Sequence, residues 1–121
     1  MKDTKRLSPI ERAAKSQLEA EGYAVVPMIP CFATRYTPAH LMAVRNTTEL
    51  LYLKLKGTAR LLVDITAIEQ FCHNDALLLR RLFPLNRGKT ALHLEIWILQ
   101  DTGRFSCYEV LADGVQEVFH V

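Results

Sequence analysis

Long apolar stretches are missing from this sequence of 121 residues. Charged residues or histidine interrupt every apolar stretch well short of the roughly 18 residues that a membrane-spanning helix needs. The first six residues are rich in charge, but no apolar run follows them, so we expect no secretory signal peptide. These absences exclude a transmembrane helix and favour a cytoplasmic protein.

Cysteine and glycine are both scarce. The three cysteines, Cys31, Cys72 and Cys107, are odd in number and widely spaced, which favours reduced, buried thiols over a disulfide framework. No pair of them has the spacing of a zinc site. The five glycines are all isolated, which excludes a phosphate-binding loop, a dinucleotide fingerprint and a nucleophile elbow.

An overall excess of one charge is also missing, because the formal net charge is only +2. The charges are nevertheless unevenly distributed along the chain. Residues 35–89 hold nine basic and four acidic groups, a net +5, and residues 90–121 hold one basic and five acidic groups, a net −4. Such polarity can orient a polyanion toward one side of the molecule, unless the two regions neutralise each other across the folded surface.

The composition is that of a globular protein, with 50% hydrophobic and 23% charged residues. A chain of this length has room for one hydrophobic core of ordinary size. We therefore predict a flexible basic N-terminus over residues 1–7 and a single domain over residues 8–121.

The first half of the sequence predicts a helix followed by strands. Ser8 and Glu11 form a capping box around Pro9, so we expect a helix from Pro9 to Glu21 that ends before Gly22.

A strand is predicted at residues 23–29, and Pro27 and Pro30 suggest that it lies at a sheet edge or ends early. Two further strands, at residues 40–45 and 49–56, flank a polar turn of hairpin length. The second of these places alternate residues on opposite faces, Leu51, Leu53 and Leu55 on one and Tyr52, Lys54 and Lys56 on the other.

Two helices are predicted after these strands. The apolar run at residues 61–65 predicts a short strand, and the sequence TAIE at residues 66–69 is a second capping box that begins a helix. Asn74 or Asp75 is expected to cap a further helical segment at residues 76–83.

The last third of the sequence predicts a hairpin and a final strand. Alternating residues at 92–99 and 104–111 predict two paired strands, and residues 115–121 predict another. Trp97 falls with Glu95 on the expected polar face of the first strand, which makes it a candidate partner or dimer surface.

This order of elements resembles the restriction-endonuclease-like, or PD-(D/E)XK, nuclease superfamily, especially its small archaeal Holliday-junction-resolvase-type members. The resemblance covers roughly residues 8–110. It includes Glu11 in the opening helix and the runs PAHLMAVR at residues 38–45 and LYLKLKG at residues 51–57. It implies an α/β fold with a restriction-endonuclease-like core, in which helices flank a mixed β-sheet.

The resemblance also implies a site. In this superfamily an aspartate begins one strand, and an acidic residue and a lysine stand two positions apart near the end of the next. An acid on the first helix often joins them. The carboxylates bind a divalent ion that polarises the phosphate and lowers the pKa of the attacking water, and the lysine adds positive charge. Glu11 matches the helix acid and Lys56 the motif lysine, so they are the residual catalytic positions.

Two of the expected carboxylates are replaced, since His40 stands at the aspartate position and Lys54 at the second acidic position. Lys54 and Lys56 are spaced about 7 Å apart along one strand face, where they repel a divalent cation and attract a phosphate. We therefore predict a nuclease-like protein that has lost metal-dependent cleavage. It is expected to bind DNA or structured RNA through a basic strand face formed by Lys54, Lys56 and Arg60, with no metal or other cofactor.

Other interpretations stay open at this point. The two lysines also suit a solvated strand face or an edge protected against strand pairing, and the capping box alone explains Glu11. The scaffold is alternatively a non-enzymatic interaction or homodimerisation module. A third possibility is an active nuclease that recruits Asp64 or Glu95 into a displaced Mg²⁺ site.

Overall fold

The computed structural model describes residues 7–28, 39–46, 48–58, 62, 64–82, 91–100 and 103–120. Cys31 and Arg60 lie outside these ranges. The elements of the described residues follow in the order α1 (Pro9–Ala20), β1 (Ala24–Pro27), β2 (Leu41–Arg45), β3 (Glu49–Gly57), α2 (Ile65–Phe71), α3 (His73–Arg80), β4 (Ala91–Leu99), β5 (Phe105–Leu111) and β6 (Gly114–Val118). The predicted order of helix, hairpin, helices and hairpin is confirmed.

The strands form one mixed sheet in the spatial order β1-β2-β3-β4-β5-β6. Only the central pair, β3 and β4, is parallel among these six strands, and the chain passes between them through α2 and α3. Parallel neighbours need such a crossover, because a tight turn can join only antiparallel strands. β1 lies at one edge of the sheet, as its prolines predicted. In the part of the chain that the structure describes, no helix is long and apolar enough to cross a membrane.

Helices cover both faces of the sheet and divide the core into two halves. The α1 face packs against that helix through Leu41, Ala43, Leu51, Leu53, Leu55, Trp97 and Cys107. The opposite face, which we call the α3 face, packs against α2 and α3 through Leu94, Ile96, Ile98, Tyr108 and Val110. Successive side chains of a strand alternate between these two faces, so only side chains on the same face can contribute to one site.

The predicted limits of α1 are confirmed. The Ser8 hydroxyl accepts a hydrogen bond from the Glu11 amide at 3.2 Å, and the Glu11 carboxylate accepts one from the Ser8 amide at 2.8 Å. These bonds satisfy two of the amides that the first turn leaves without helical partners. Gly22 follows the helix with φ +95°, a conformation that residues with a Cβ rarely adopt.

The predicted boundaries of α2 and α3 are wrong. Asp64 caps α2 by accepting a hydrogen bond from the Ala67 amide at 2.8 Å, so that Ile65 begins a helix and does not end a strand. Cys72 stands at the N-cap of α3 and makes no side-chain capping bond. Asp75 lies inside the first turn of α3, where its side chain contacts β3.

The prediction that β4 is buried on one face only is also wrong. β4 is a central strand, and helices cover it from both sides, which is the usual setting for parallel neighbours. Trp97 is 0% exposed and Glu95 only 6% exposed. Trp97 is therefore part of the core and cannot form a partner or dimer surface.

Candidate functional site

The central strand β3 presents opposite chemistry to its two sides. Leu53 and Leu55 belong to the core on the α1 face. Lys54 and Lys56 point the other way, since they are in register with Ile96 and Ile98 of the α3 face. The predicted alternation is confirmed, and the two lysines share one face.

Both lysines converge on a single carboxylate of α3. The Lys56 Nζ lies 2.5 Å from Oδ2 of Asp75, and the Lys54 Nζ lies 3.9 Å from Oδ1 of the same side chain. The lysine side chains are 19% and 24% exposed, and that of Asp75 is 14% exposed. β3 is an interior strand, so protection of a sheet edge does not explain these lysines, and they do not lie on an open, solvated face.

An aromatic ring completes the surroundings of Lys56. Its ammonium lies 4.5 Å from the centroid of the Phe71 ring, within range of a cation–π interaction. Cys72 lies at the same junction of α2 and α3, where burial raises the pKa of its thiol to about 11 and keeps it neutral. Two ammonium groups and one carboxylate leave this cluster with a net charge of about +1. We call Lys54, Lys56, Asp75 and Phe71 the lysine cluster.

The structure does not bring the two residual catalytic positions together. Glu11 is buried on the same side of α1 as Ala14 and Leu18, which pack on the α1 face. Lys56 points to the α3 face, so the sheet separates it from Glu11. The fully buried side chains of β3 on the α1 face are leucines, and the Glu49 carboxylate at the start of the strand pairs with Arg45 at 2.9 Å.

His40 connects the strands at the position of the missing aspartate. Its Nδ1 accepts a hydrogen bond from the Leu55 amide at 2.9 Å. Its backbone amide donates to Leu53, and its carbonyl accepts from Met28. The imidazole ring thus takes the place of a backbone carbonyl as the acceptor for the Leu55 amide of β3. Its Nδ1 lone pair is occupied by this hydrogen bond.

The carboxylates proposed for a displaced metal site are also apart. Asp64 caps α2 on the α3 face, whereas Glu95 is buried on the α1 face. One displaced site cannot therefore contain both of them. Among the residues that the structure describes, no three His, Cys, Asp or Glu side chains are grouped so that they could hold a metal ion.

A buried charged cluster lies on the α1 face and was not predicted from the sequence. The His120 ring lies with Nδ1 2.7 Å from Glu21 Oε1 and with Nε2 2.7 Å from Glu95 Oε1. The Trp97 indole donates to the same Glu95 oxygen at 2.9 Å and lies against the His120 ring. The hydrogen bond to Glu95, followed by that to Glu21, raises the pKa of His120 to about 9. His120 is therefore a cation between two carboxylates at neutral pH.

No local signal could have revealed this cluster. Glu21 and His120 are separated by 99 positions in the sequence. The polar alternation of Glu95 and Trp97 was visible, but it indicates a shared face and does not tell whether that face is covered.

Comparison with known proteins bears on the fold. The sequence matches no protein-family model and no curated protein sequence. The structure is similar to that of Hjc, a Holliday junction resolvase from the archaeal hyperthermophile Archaeoglobus fulgidus, with a TM-score of 0.53 and 12% sequence identity. The similarity covers 90% of this chain and 84% of that one. The fold is restriction-endonuclease-like. The fold expected from the sequence is confirmed, and at this identity the likeness establishes the fold alone.

Proposed function

We propose that this chain is a nuclease-fold protein that has lost metal-dependent phosphodiester cleavage and binds nucleic acid through the lysine cluster. One observation supports it most directly. Two ammonium groups on one strand face converge on the two oxygens of a single carboxylate. The same arrangement suits the non-bridging oxygens of a backbone phosphate, for which lysine is a common ligand.

The loss of cleavage follows from the charges on either side of β3. A Mg²⁺ ion in a nuclease needs carboxylate oxygens near the phosphate. On the α1 face Glu49 pairs with Arg45, and Glu21 and Glu95 pair with His120. On the α3 face a metal ion would meet two ammonium groups. No three His, Cys, Asp or Glu side chains are grouped to hold a metal ion in the part of the chain that the structure describes, and we propose that the protein functions without a metal cofactor.

The class of nucleic acid is proposed from the fold. One structurally similar protein is a Holliday junction resolvase, so a four-way DNA junction is the first ligand to test, with duplex DNA and structured RNA beside it. Arg60 follows β3 in the sequence and is proposed as a third basic contact on that ground alone. A reducing cytoplasmic setting is proposed from the free, buried thiols of Cys72 and Cys107.

The binding surface is tested with a pair of charge-matched variants. K54Q/K56Q removes both lysines of the cluster, and R12Q/K15Q removes two cations from α1 on the other side of the sheet. We expect K54Q/K56Q to weaken junction binding about tenfold or more and to reduce the slope of log affinity against log salt by about 1 to 2, because fewer counterions are released. Fluorescence anisotropy at several salt concentrations measures both quantities.

The control variant separates a local site from overall charge. R12Q/K15Q has the same net charge as K54Q/K56Q, so equal weakening by both variants would contradict a site at the lysine cluster. Absence of junction, duplex and RNA binding at low salt would contradict nucleic-acid binding altogether. Homodimerisation is then the function to pursue, since Phe119 is 81% exposed beside the edge strand β6.

A further inference from the structure

We propose that Asp75 is an intramolecular competitor of the nucleic-acid phosphate, so that its carboxylate must give up the two lysines before a phosphate can bind. The inference rests on the proposed function and specifies how that site is regulated. It predicts that wild-type affinity is lower than the lysine pair alone would provide.

The geometry resembles that of a bound oxyanion. Each oxygen of the Asp75 carboxylate faces a different ammonium group, Oδ2 facing Lys56 and Oδ1 facing Lys54. The three side chains are mostly covered, so no second anion can approach both lysines while the carboxylate stays in place. Binding of a phosphate and pairing with Asp75 are therefore mutually exclusive at these two groups.

Asp75 itself is held in place by its helix. It lies in the first turn of α3, where the helix dipole favours a negative charge. Ala76 and Leu79 of the same helix are buried in the core of the α3 face. Moving α3 away would expose these residues, so displacement of the whole helix is costly.

The lysines are the mobile partners in the exchange. Their long side chains are more exposed than that of Asp75 and can turn toward solvent while β3 stays in the sheet. A phosphate therefore competes for lysines that leave Asp75, and the energy of the ion pair is subtracted from the binding energy.

The test removes the competitor and keeps its shape. In D75N the amide cannot form an ion pair, so we expect the four-way DNA junction to bind about tenfold more tightly, the scale of one partly screened charge interaction over a few ångströms. The salt slope should become steeper by about 1, because removal of the carboxylate raises the net charge of the lysine cluster from about +1 to about +2. E19Q on α1 is the matched control, since it removes one negative charge far from the cluster, and we expect less than a twofold change from it.

A second set of variants makes the result specific. D75N/K54Q/K56Q should lose the gain in junction affinity that D75N shows. Thermal unfolding checks that each variant folds, and if D75N folds poorly, D75S should show the same gain. If wild type binds the junction and D75N binds no tighter than E19Q, the competitor role is wrong and the proposed function stands. Equal gains in D75N and in D75N/K54Q/K56Q would also overturn it. If neither wild type nor D75N binds at low salt, both the competitor role and the proposed function fail.

Discussion

At the level of single residues, the environment of His120 changes the charge of its ring at neutral pH. The ring lies between two carboxylates and against the Trp97 indole, with only 11% of its side chain exposed. Besides Glu21 and Glu95, the nearby ionisable groups of the α1 face include Cys107, whose pKa burial raises to about 12, so that it stays neutral. The charged imidazolium therefore anchors the end of the chain to α1 and β4.

This anchoring predicts a pH-dependent contribution to stability. Because the pKa of His120 is raised to about 9 in the folded protein, the stabilisation is complete below about pH 6.5 and is lost as the pH rises through about 9. We expect H120Q to lower the free energy of unfolding by roughly 2 kcal/mol at pH 6 and by much less at pH 10. Urea unfolding of both proteins across this range measures the difference, and a difference that does not vary with pH would contradict the charged cluster.

The lysine cluster could be predicted only in part from the identities of its residues. The pairing of Lys54 with Lys56 on one face followed from strand periodicity. Their partner did not, because Asp75 was expected to cap a helix, where aspartate is common. Cys72 occupies the cap position, so the Asp75 carboxylate is available to the lysines.

At the level of elements, the faces of β3 determine what the site can do. In the superfamily that the sequence resembles, the helix acid joins the strand carboxylates. Here α1 meets the leucine side of β3, and the sheet separates Glu11 from the lysines. Substitutions that return acidic residues to the positions of His40 and Lys54 would therefore not bring them next to Glu11.

This separation predicts the outcome of a reconstruction. H40D/K54E returns acidic residues to both substituted positions, but the carboxylate introduced by K54E would point at Asp75 on the α3 face, so we expect no cleavage of a four-way junction in Mg²⁺ or Mn²⁺. We also expect a lower melting temperature, because two carboxylates would then face each other and the Leu55 amide would lose its present acceptor. K54E alone serves as the control for folding. Metal-dependent cleavage by H40D/K54E would contradict the assignment of faces.

The elements differ in how far the sequence predicted them. The limits of α1 were predictable because Ser8, Glu11 and Gly22 act locally. The burial of β4 was not, because alternation identifies two faces and cannot tell that a helix covers each. The start of α2 was predicted wrongly because Asp64, its N-cap, lies within the apolar run at residues 61–65, which was interpreted as a strand.

At the level of the whole molecule, the architecture was predicted through the family resemblance that the order of elements and certain residues carry. A hairpin, a helical crossover and a second hairpin lead to a mixed sheet with one parallel pair at its centre. The site was less predictable, because it depends on contacts between distant segments. Lys56 and Asp75 are 19 positions apart, and Glu11 and Lys56, which the resemblance placed together, are on opposite sides of the sheet.

Nucleic-acid binding without cleavage is tested by a single incubation of the protein with an end-labelled four-way DNA junction in millimolar Mg²⁺, analysed on native and denaturing gels. We predict a retarded complex on the native gel and intact strands on the denaturing gel. Shortened strands whose appearance depends on Mg²⁺ would contradict the loss of cleavage. A junction that migrates as free DNA at every protein concentration would contradict binding.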